Sequence, residues 1–314
     1  MATAFIFPGQ GSQAVGMGKA LAEAFPVARA VFDEVDAALS QRLSMLMWEG
    51  PGEELTLTAN AQPALMAVSL AAIRVLEAEA GLSLRNDAAF VAGHSLGEYS
   101  ALAAAGTFSI SDAARLLRIR GDAMQKAVPA GEGAMAALLG VELDQARAIA
   151  ADAAEGQVCE AANDNGGGQV VLSGAKPAVE RAIVLAGERG VRRAMLLPVS
   201  APFHCALMQP AAEAMQAALA EVAMQAPVVP VMANVGAAPL SDPAAIRASL
   251  VAQVTGTVRW RECVEAMAAA GVTQFYEVGS GKVLAGLVKR IAAGTAAASI
   301  GSADDIAAYK AQKG

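Results

Sequence analysis

The feature that most constrains the fold is the alternation of strand-like and helix-like segments along the 314-residue chain. Such alternation predicts an α/β protein. Outside a central segment, strands are predicted at 4–7, 88–92, 230–233 and 274–278. Helices are predicted at 15–24, 27–39, 63–80, 96–105, about 111–128, 204–222, 242–253, 261–270 and 284–291.

The pattern changes after residue 129, where two glycines, Gly131 and Gly133, interrupt it. Strands are predicted at 134–139, 158–162, 169–172 and 193–197, with helices at 144–154 and 177–187. This β-α-β-β-α-β order is typical of a ferredoxin-like unit. Because the larger pattern resumes afterwards, we interpret 130–197 as an inserted ferredoxin-like subdomain. The main subdomain then comprises 1–129 and 198–314.

Composition and charge argue against several classes of protein. The net charge is −7 and aromatic residues make up 4%, so a nucleic-acid partner is not expected. Mean hydropathy is +0.42, yet the apolar run at 61–72 is interrupted by Gln62, Pro63 and Ser69. We therefore expect no membrane span, and a start without a signal-peptide pattern predicts a cytoplasmic protein. The three cysteines and two histidines are scattered, so no metal site is expected.

The strongest local motif is Gly93-His94-Ser95-Leu96-Gly97, between a predicted strand and a predicted helix. G-x-S-x-G in this context is typical of a nucleophile elbow, which presents a reactive serine. The alternative is a glycine-rich turn without chemistry.

A nucleophilic serine needs a base. His94 is adjacent to Ser95, so its side chain is expected to point elsewhere, which leaves His204 as the candidate. A structural role for His204 is the competing interpretation.

Two further segments contain candidate ligand-binding residues. Gln10 lies in a Gly-rich loop after the first strand, where it could face the site, although an ordinary tight turn fits the segment equally well. Arg120 has the helical phase of the apolar residues Leu117 and Met124, so it is predicted to point inward. A buried guanidinium suits a substrate carboxylate, and a structural ion pair is the alternative.

Taken together, the motifs resemble the malonyl-CoA:acyl carrier protein transacylases of type II fatty acid synthesis. The resemblance covers essentially the whole chain and rests on 7–13 (FPGQGSQ), 93–98 (GHSLGE), 118–121 (RIRG), 198–204 (PVSAPFH) and 276–279 (YEVG). It implies an α/β-hydrolase-like large subdomain with a ferredoxin-like insertion. It also implies transfer of a malonyl group from malonyl-CoA to acyl carrier protein, without a cofactor, by a chain that we expect to be a monomer.

The resemblance assigns roles to individual residues. It implies that Ser95 is acylated, that His204 acts as base and then acid, and that the main-chain carbonyl of Gln253 orients His204. Gln10 and the N–H of Leu96 are implied to form the oxyanion hole.

The resemblance further implies two substrate contacts. Arg120 would hold the malonyl carboxylate through two hydrogen bonds. Phe203 would fill the space that a branch at the malonyl α-carbon needs.

Three alternatives stay open: a serine hydrolase or thioesterase, the transacylase of malonate decarboxylation or polyketide synthesis, and a non-catalytic binding module. For the acidic carrier protein we expect a local basic docking patch. The candidates are Lys176, Arg181, Arg189, Arg192 and Arg193 in the insertion, or Lys282, Lys289 and Arg290.

Overall fold

Two sheets organise the computed structural model, which describes residues 2–199 and 201–313. The strands described are β1 (Ala2–Phe7), β2 (Phe90–Gly93), β3 (Gly133–Leu139), β4 (Cys159–Asp164), β5 (Gln169–Ala175), β6 (Arg193–Leu196), β7 (Val231–Ala233), β8 (Ala238–Leu240), β9 (Val272–Val278) and β10 (Ala296–Ile300). The larger sheet has the order β10-β9-β1-β2-β7-β8, with parallel neighbours except for the antiparallel β7–β8 pair. The predicted α/β class is confirmed.

Helices cover this sheet and the smaller one. They are α1 (Lys19–Ala24), α2 (Pro26–Leu39), α3 (Leu43–Glu49), α4 (Gly52–Thr56), α5 (Thr58–Ala80), α6 (Leu84–Asp87), α7 (Gly97–Ala104), α8 (Ile110–Ala127), α9 (Leu143–Ala154), α10 (Lys176–Glu188), α11 (Gln209–Ala220), α12 (Pro243–Thr255), α13 (Trp260–Ala269), α14 (Val283–Ile291) and α15 (Ala303–Lys313). A short 3-10 helix, Ala206–Met208, precedes α11.

The smaller sheet is the ferredoxin-like insertion that the sequence predicts. Its chain order is β3-α9-β4-β5-α10-β6, and its spatial order is β4-β5-β3-β6 with antiparallel neighbours. One face packs on α9 and α10, where alanine, valine and isoleucine side chains form a core of its own. The boundaries of the subdomain at 130 and 197 remain a prediction.

The long helix α5 passes through the main core. It is apolar and long enough to meet a simple length-and-hydropathy criterion for a membrane span, although the interrupted run at 61–72 predicted none. However, 89% of its most apolar window is buried inside the protein. Its apolar character therefore serves core packing, and Pro63 lies within the helix near its first turn.

Several predicted boundaries were wrong for local backbone reasons. Helix α1 begins at Lys19 rather than 15, because Gly16 and Gly18 adopt left-handed φ angles of 94° and 77°. His204 lies before the helix rather than in it, with a φ of 58°, and α11 begins at Gln209. The sequence interpretation also missed α3, α4, α6, β8, β10 and α15.

The register of β1 on β2 brings two loops together. Phe7 pairs with Gly93, so both strands end at the same level of a parallel sheet. The loops that follow, 8–13 and 94–96, therefore leave the same edge, where ligands bind in sheets of this kind. Gly9 is required there, since a Cβ atom would lie 2.7 Å from the carbonyl oxygen of His94.

Candidate active site

Ser95 lies on the sharp turn between β2 and α7, with a left-handed φ of 54°. The turn depends on two glycines, because a Cβ atom on Gly93 would overlap the backbone of Gly97, and one on Gly97 would overlap the carbonyl of Phe7. The Ser95 N–H donates to Asn234 Oδ1 at 2.8 Å. The predicted elbow geometry is therefore present.

His204 approaches Ser95 from the loop before α11. Its Nε2 lies 2.7 Å from Ser95 Oγ, and its Nδ1 lies 2.9 Å from the main-chain oxygen of Gln253. Since a carbonyl oxygen only accepts, Nδ1 carries the proton and Nε2 is free to accept from the serine hydroxyl. The structure thus brings together the three residues that were expected to meet.

The electrostatic surroundings keep the His204 ring neutral. Burial, the charge of Arg120 and smaller effects lower the His204 pKa to about 3. A neutral imidazole can accept a proton from Ser95, which is the state that a general base requires.

His94 turns away from Ser95, as predicted. Its Nε2 lies 2.9 Å from Asn165 Oδ1, and its ring packs against Trp260 with 5.7 Å between ring centroids. Burial lowers the pKa of His94 as well. It joins the elbow to the loop that connects β4 and β5.

Arg120 is 1% exposed and projects from α8 toward Ser95. Its guanidinium donates to Gln62 Oε1 at 2.8 Å, to Gln253 Oε1 at 2.9 Å and to Ser95 Oγ at 3.2 Å. The guanidinium carbon also lies 5.7 Å from the centre of the Tyr99 ring. Within the described residues its hydrogen bonds go to neutral oxygens, so the alternative of a direct structural ion pair is not favoured.

The site opens into a cavity of ≈ 440 Å³ with a mostly apolar wall. Among the residues that line it are all the predicted side chains except Gln253, namely Gln10, Ser95, Leu96, Arg120, Phe203 and His204. A larger cleft of ≈ 710 Å³ contains none of these residues. Two of its arginines pair with neighbouring carboxylates, Arg259 with Glu262 and Arg261 with Glu265.

The two predicted oxyanion donors border this cavity. The N–H of Ser95 is bonded to Asn234, and Leu96, the N-cap of α7, lines the cavity. The Gln10 side-chain oxygen accepts from the Thr58 hydroxyl at 3.0 Å, which fixes the amide at the rim. Their role as oxyanion donors remains a prediction.

Comparisons with known proteins agree with this geometry. The family described as "Acyl transferase domain" matches residues 4–307. The chain is also 48% identical to the malonyl CoA-acyl carrier protein transacylase of Bacillus subtilis (strain 168), over 92% of this chain and 90% of the relative. The chain belongs to the malonyl-CoA:acyl carrier protein transacylase family. This confirms the family inferred from the motifs.

Solved structures of transacylases have the same fold. An acyl-carrier-protein-S-malonyltransferase from Bartonella henselae is similar with a TM-score of 0.97 and 58% identity, covering 100% of this chain and 99% of the other. A malonyl-transacylase solved in complex with a type II polyketide acyl carrier protein has a TM-score of 0.96 and 41% identity, covering 99% and 100% of the two chains. The two-subdomain fold is therefore confirmed.

Sequence reasoning missed part of this transacylase site. Gln253 was expected to act through its main chain alone, yet its side chain contacts Arg120, Ser95 and Glu98. Gln62, Glu98 and Asn234 had no predicted role. The available signal was a polar side chain next to apolar residues, since Gln62 precedes the apolar stretch of α5 and Glu98 lies at the start of the alanine-rich α7.

Several of the basic residues expected to bind the carrier protein contact neighbouring groups. Arg181 donates to the main-chain oxygens of Ala153 and Ala154, and Arg189 forms an ion pair with Asp152. Lys176 likewise pairs with Glu180 at 3.9 Å. These surface contacts do not test a docking role, so docking on either basic cluster stays a prediction. Ser200 of the 198–204 motif lies outside the described residues.

Proposed function

We propose that the chain transfers the malonyl group of malonyl-CoA to the phosphopantetheine thiol of acyl carrier protein, through a malonyl-serine intermediate. The observation that carries this proposal is the guanidinium of Arg120, buried 3.2 Å from Ser95 Oγ in the cavity that holds His204. A serine hydrolase acting on uncharged lipid has no use for a cation there.

In the first half of the reaction, Ser95 Oγ attacks the thioester carbon while His204 Nε2 takes the hydroxyl proton. The carbon–sulfur bond breaks and the coenzyme A sulfur leaves with the proton that His204 returns. The N–H of Leu96 and Gln10 donate hydrogen bonds that stabilise the negative charge on the carbonyl oxygen. The main-chain oxygen of Gln253 holds the imidazole in the tautomer that this requires.

The second half reverses these roles. The phosphopantetheine thiol gives its proton to His204 Nε2 and attacks the malonyl-serine carbonyl. The ester bond breaks, and Ser95 Oγ regains a proton from His204. Arg120 binds the malonyl carboxylate throughout, and Phe203, on the cavity wall, limits the room at the α-carbon. No step needs a metal or a cofactor.

The cellular setting is part of the proposal. We place the reaction in fatty acid biosynthesis, in the cytoplasm, with a monomeric enzyme that has neither a nucleic-acid nor a membrane partner. Support comes from the net charge of −7 and from the buried position of α5. Polyketide synthesis is the second candidate, because one similar transacylase was solved with a polyketide carrier protein.

The test is the intact mass of the protein after mixing with malonyl-CoA. We expect one malonyl adduct, mapped to Ser95 and absent in Ser95→Ala, which is discharged when acyl carrier protein is added. An adduct on Cys205 or elsewhere would refute the nucleophile. Slow release of free malonate, without transfer to a thiol, would favour the hydrolase.

A further inference from the structure

Glu98 is a buried carboxylate that the proposed mechanism does not use. It lies on α7, three residues after Ser95, and is 1% exposed. Its Oε2 accepts from the Asn234 N–H at 3.0 Å and from Gln253 Nε2 at 2.7 Å, whereas Oε1 has no partner among the described residues. An ionised carboxylate in such surroundings is costly unless a positive charge is near.

The positive charge is that of Arg120, on the far side of one amide group. Gln253 Oε1 accepts from Arg120 while Gln253 Nε2 donates to Glu98. The cation and the anion therefore meet through a single bridging amide rather than in direct contact. Each acts on the other, since the charge of Glu98 raises the pKa of Arg120, which burial lowers.

The same carboxylate holds the backbone of the nucleophile. Gln253 Nε2 also donates to the main-chain oxygen of Ser95 at 3.0 Å, and the side chain of Asn234 accepts from the Ser95 N–H. Both residues that fix the strained Ser95 backbone therefore donate to Glu98 Oε2, Gln253 through its side-chain Nε2 and Asn234 through its main-chain N–H. A change of charge at Glu98 therefore alters both the electrostatic surroundings of Arg120 and the hydrogen bonds that hold the Ser95 backbone.

We propose that Glu98 is a positioning residue that sets malonyl selectivity, because it is the counter-charge of Arg120 while the site is empty. The proposal rests on the function proposed above, in which Arg120 binds the malonyl carboxylate. The negative charge of Glu98 repels that carboxylate and offsets part of its attraction to Arg120. Glu98 therefore lowers the affinity of the site for the malonyl group. Its negative charge also compensates the charge of Arg120 once the acyl group has moved to the carrier protein.

Glu98→Gln separates the charge from the hydrogen bonds. The amide oxygen can replace Oε2 and keep both donors, and the amide nitrogen takes the place of Oε1. Without the negative charge, Arg120 attracts the malonyl carboxylate more strongly, whereas an acetyl group gains nothing. A merely structural role would change both substrates alike.

The experiment measures single-turnover acylation with malonyl-CoA and with acetyl-CoA at a pH of about 8, above the Glu98 pKa of about 7. We expect the malonyl-to-acetyl ratio of kcat/KM to rise on the order of tenfold in Glu98→Gln, as for one unit charge removed at a separation of roughly 12 Å in an effective dielectric of about 20. Glu277→Gln is the matched control, since Glu277 is a fully buried carboxylate that accepts from the Ala285 N–H at the start of α14. Its ratio should equal that of the wild type.

Two further variants distinguish a folding defect from a failure of the role proposed for Glu98. If Glu98→Gln does not fold, Glu98→Ala replaces it and the ratio must move in the same direction. In an Arg120→Ala background, Glu98→Gln should leave the ratio unchanged. An unchanged or falling ratio with Arg120 intact overturns the role of Glu98. If Arg120→Ala itself keeps full malonyl preference, the carboxylate-binding role of Arg120 in the proposed function fails instead.

Discussion

Replacing Arg120 by alanine should turn the site from one that selects malonyl into one that does not. Arg120 is almost fully buried, and its hydrogen bonds within the described chain go to neutral groups. A malonyl carboxylate would therefore be its one directly bonded anion. Losing a desolvated, charge-assisted pair costs about 3 kcal/mol, which is on the order of 10²-fold in kcat/KM.

Acetyl-CoA should keep its activity in the same variant, so its use relative to malonyl-CoA should rise. The charge of Arg120 lowers the pKa of His204, so removing it leaves a stronger base and does not slow acetyl transfer. The assay is acyl-enzyme formation followed by rapid quench and intact mass, with each substrate in turn. Arg115→Ala is the control, because Arg115 lies on the same helix with its side chain 54% exposed. Equal losses with both substrates would show that Arg120 is structural.

Two further predictions concern the residues beside Ser95. The ring of His204 should stay neutral at pH 6.5, since burial and the charge of Arg120 lower its pKa to about 3, and burial should make His94 titrate below its usual pKa; ring-nitrogen NMR would show both. Because the folded-state pKa of His204 lies below the unfolded value of about 6.5, the stability it contributes is present above pH 6.5 and is lost as the pH falls toward 3; a His204 ring that gains its proton near pH 6.5 contradicts the burial argument. Phe203→Ser should raise the use of methylmalonyl-CoA relative to malonyl-CoA, and an unchanged ratio would assign the closed wall to other residues.

The residues that carry local signals could be predicted from the sequence. Ser95 stands in a glycine-bounded turn, and Arg120 shares the phase of an apolar helical stripe, so each has a readable pattern. His204 was found by scarcity, since the chain has two histidines and His94 was excluded by its position. The ferredoxin-like unit followed from the order of its strands and helices.

The rest depends on contacts that no local pattern encodes. A non-glycine residue with a left-handed φ, such as His204, is held in that conformation by its surroundings. Helix propensity alone does not reveal this, and the predicted helix therefore wrongly included His204. The bridge from Arg120 through Gln253 to Glu98 joins α8, α12 and α7. Only the packed sheet and its helices bring these three residues together.

The contacts of Arg120 connect substrate recognition to proton transfer. Burial and, after it, the positive charge of Arg120 hold the His204 pKa low in the empty site, which makes His204 a weak acceptor for the Ser95 proton. In the proposed function, a malonyl carboxylate bound to the guanidinium would cancel much of that charge, and the His204 pKa would rise as the substrate arrives. A malonyl substrate would therefore strengthen the base that deprotonates Ser95, whereas an acetyl group would leave that base weak. Selectivity should then appear in the rate of acylation as well as in binding, because the same carboxylate governs both.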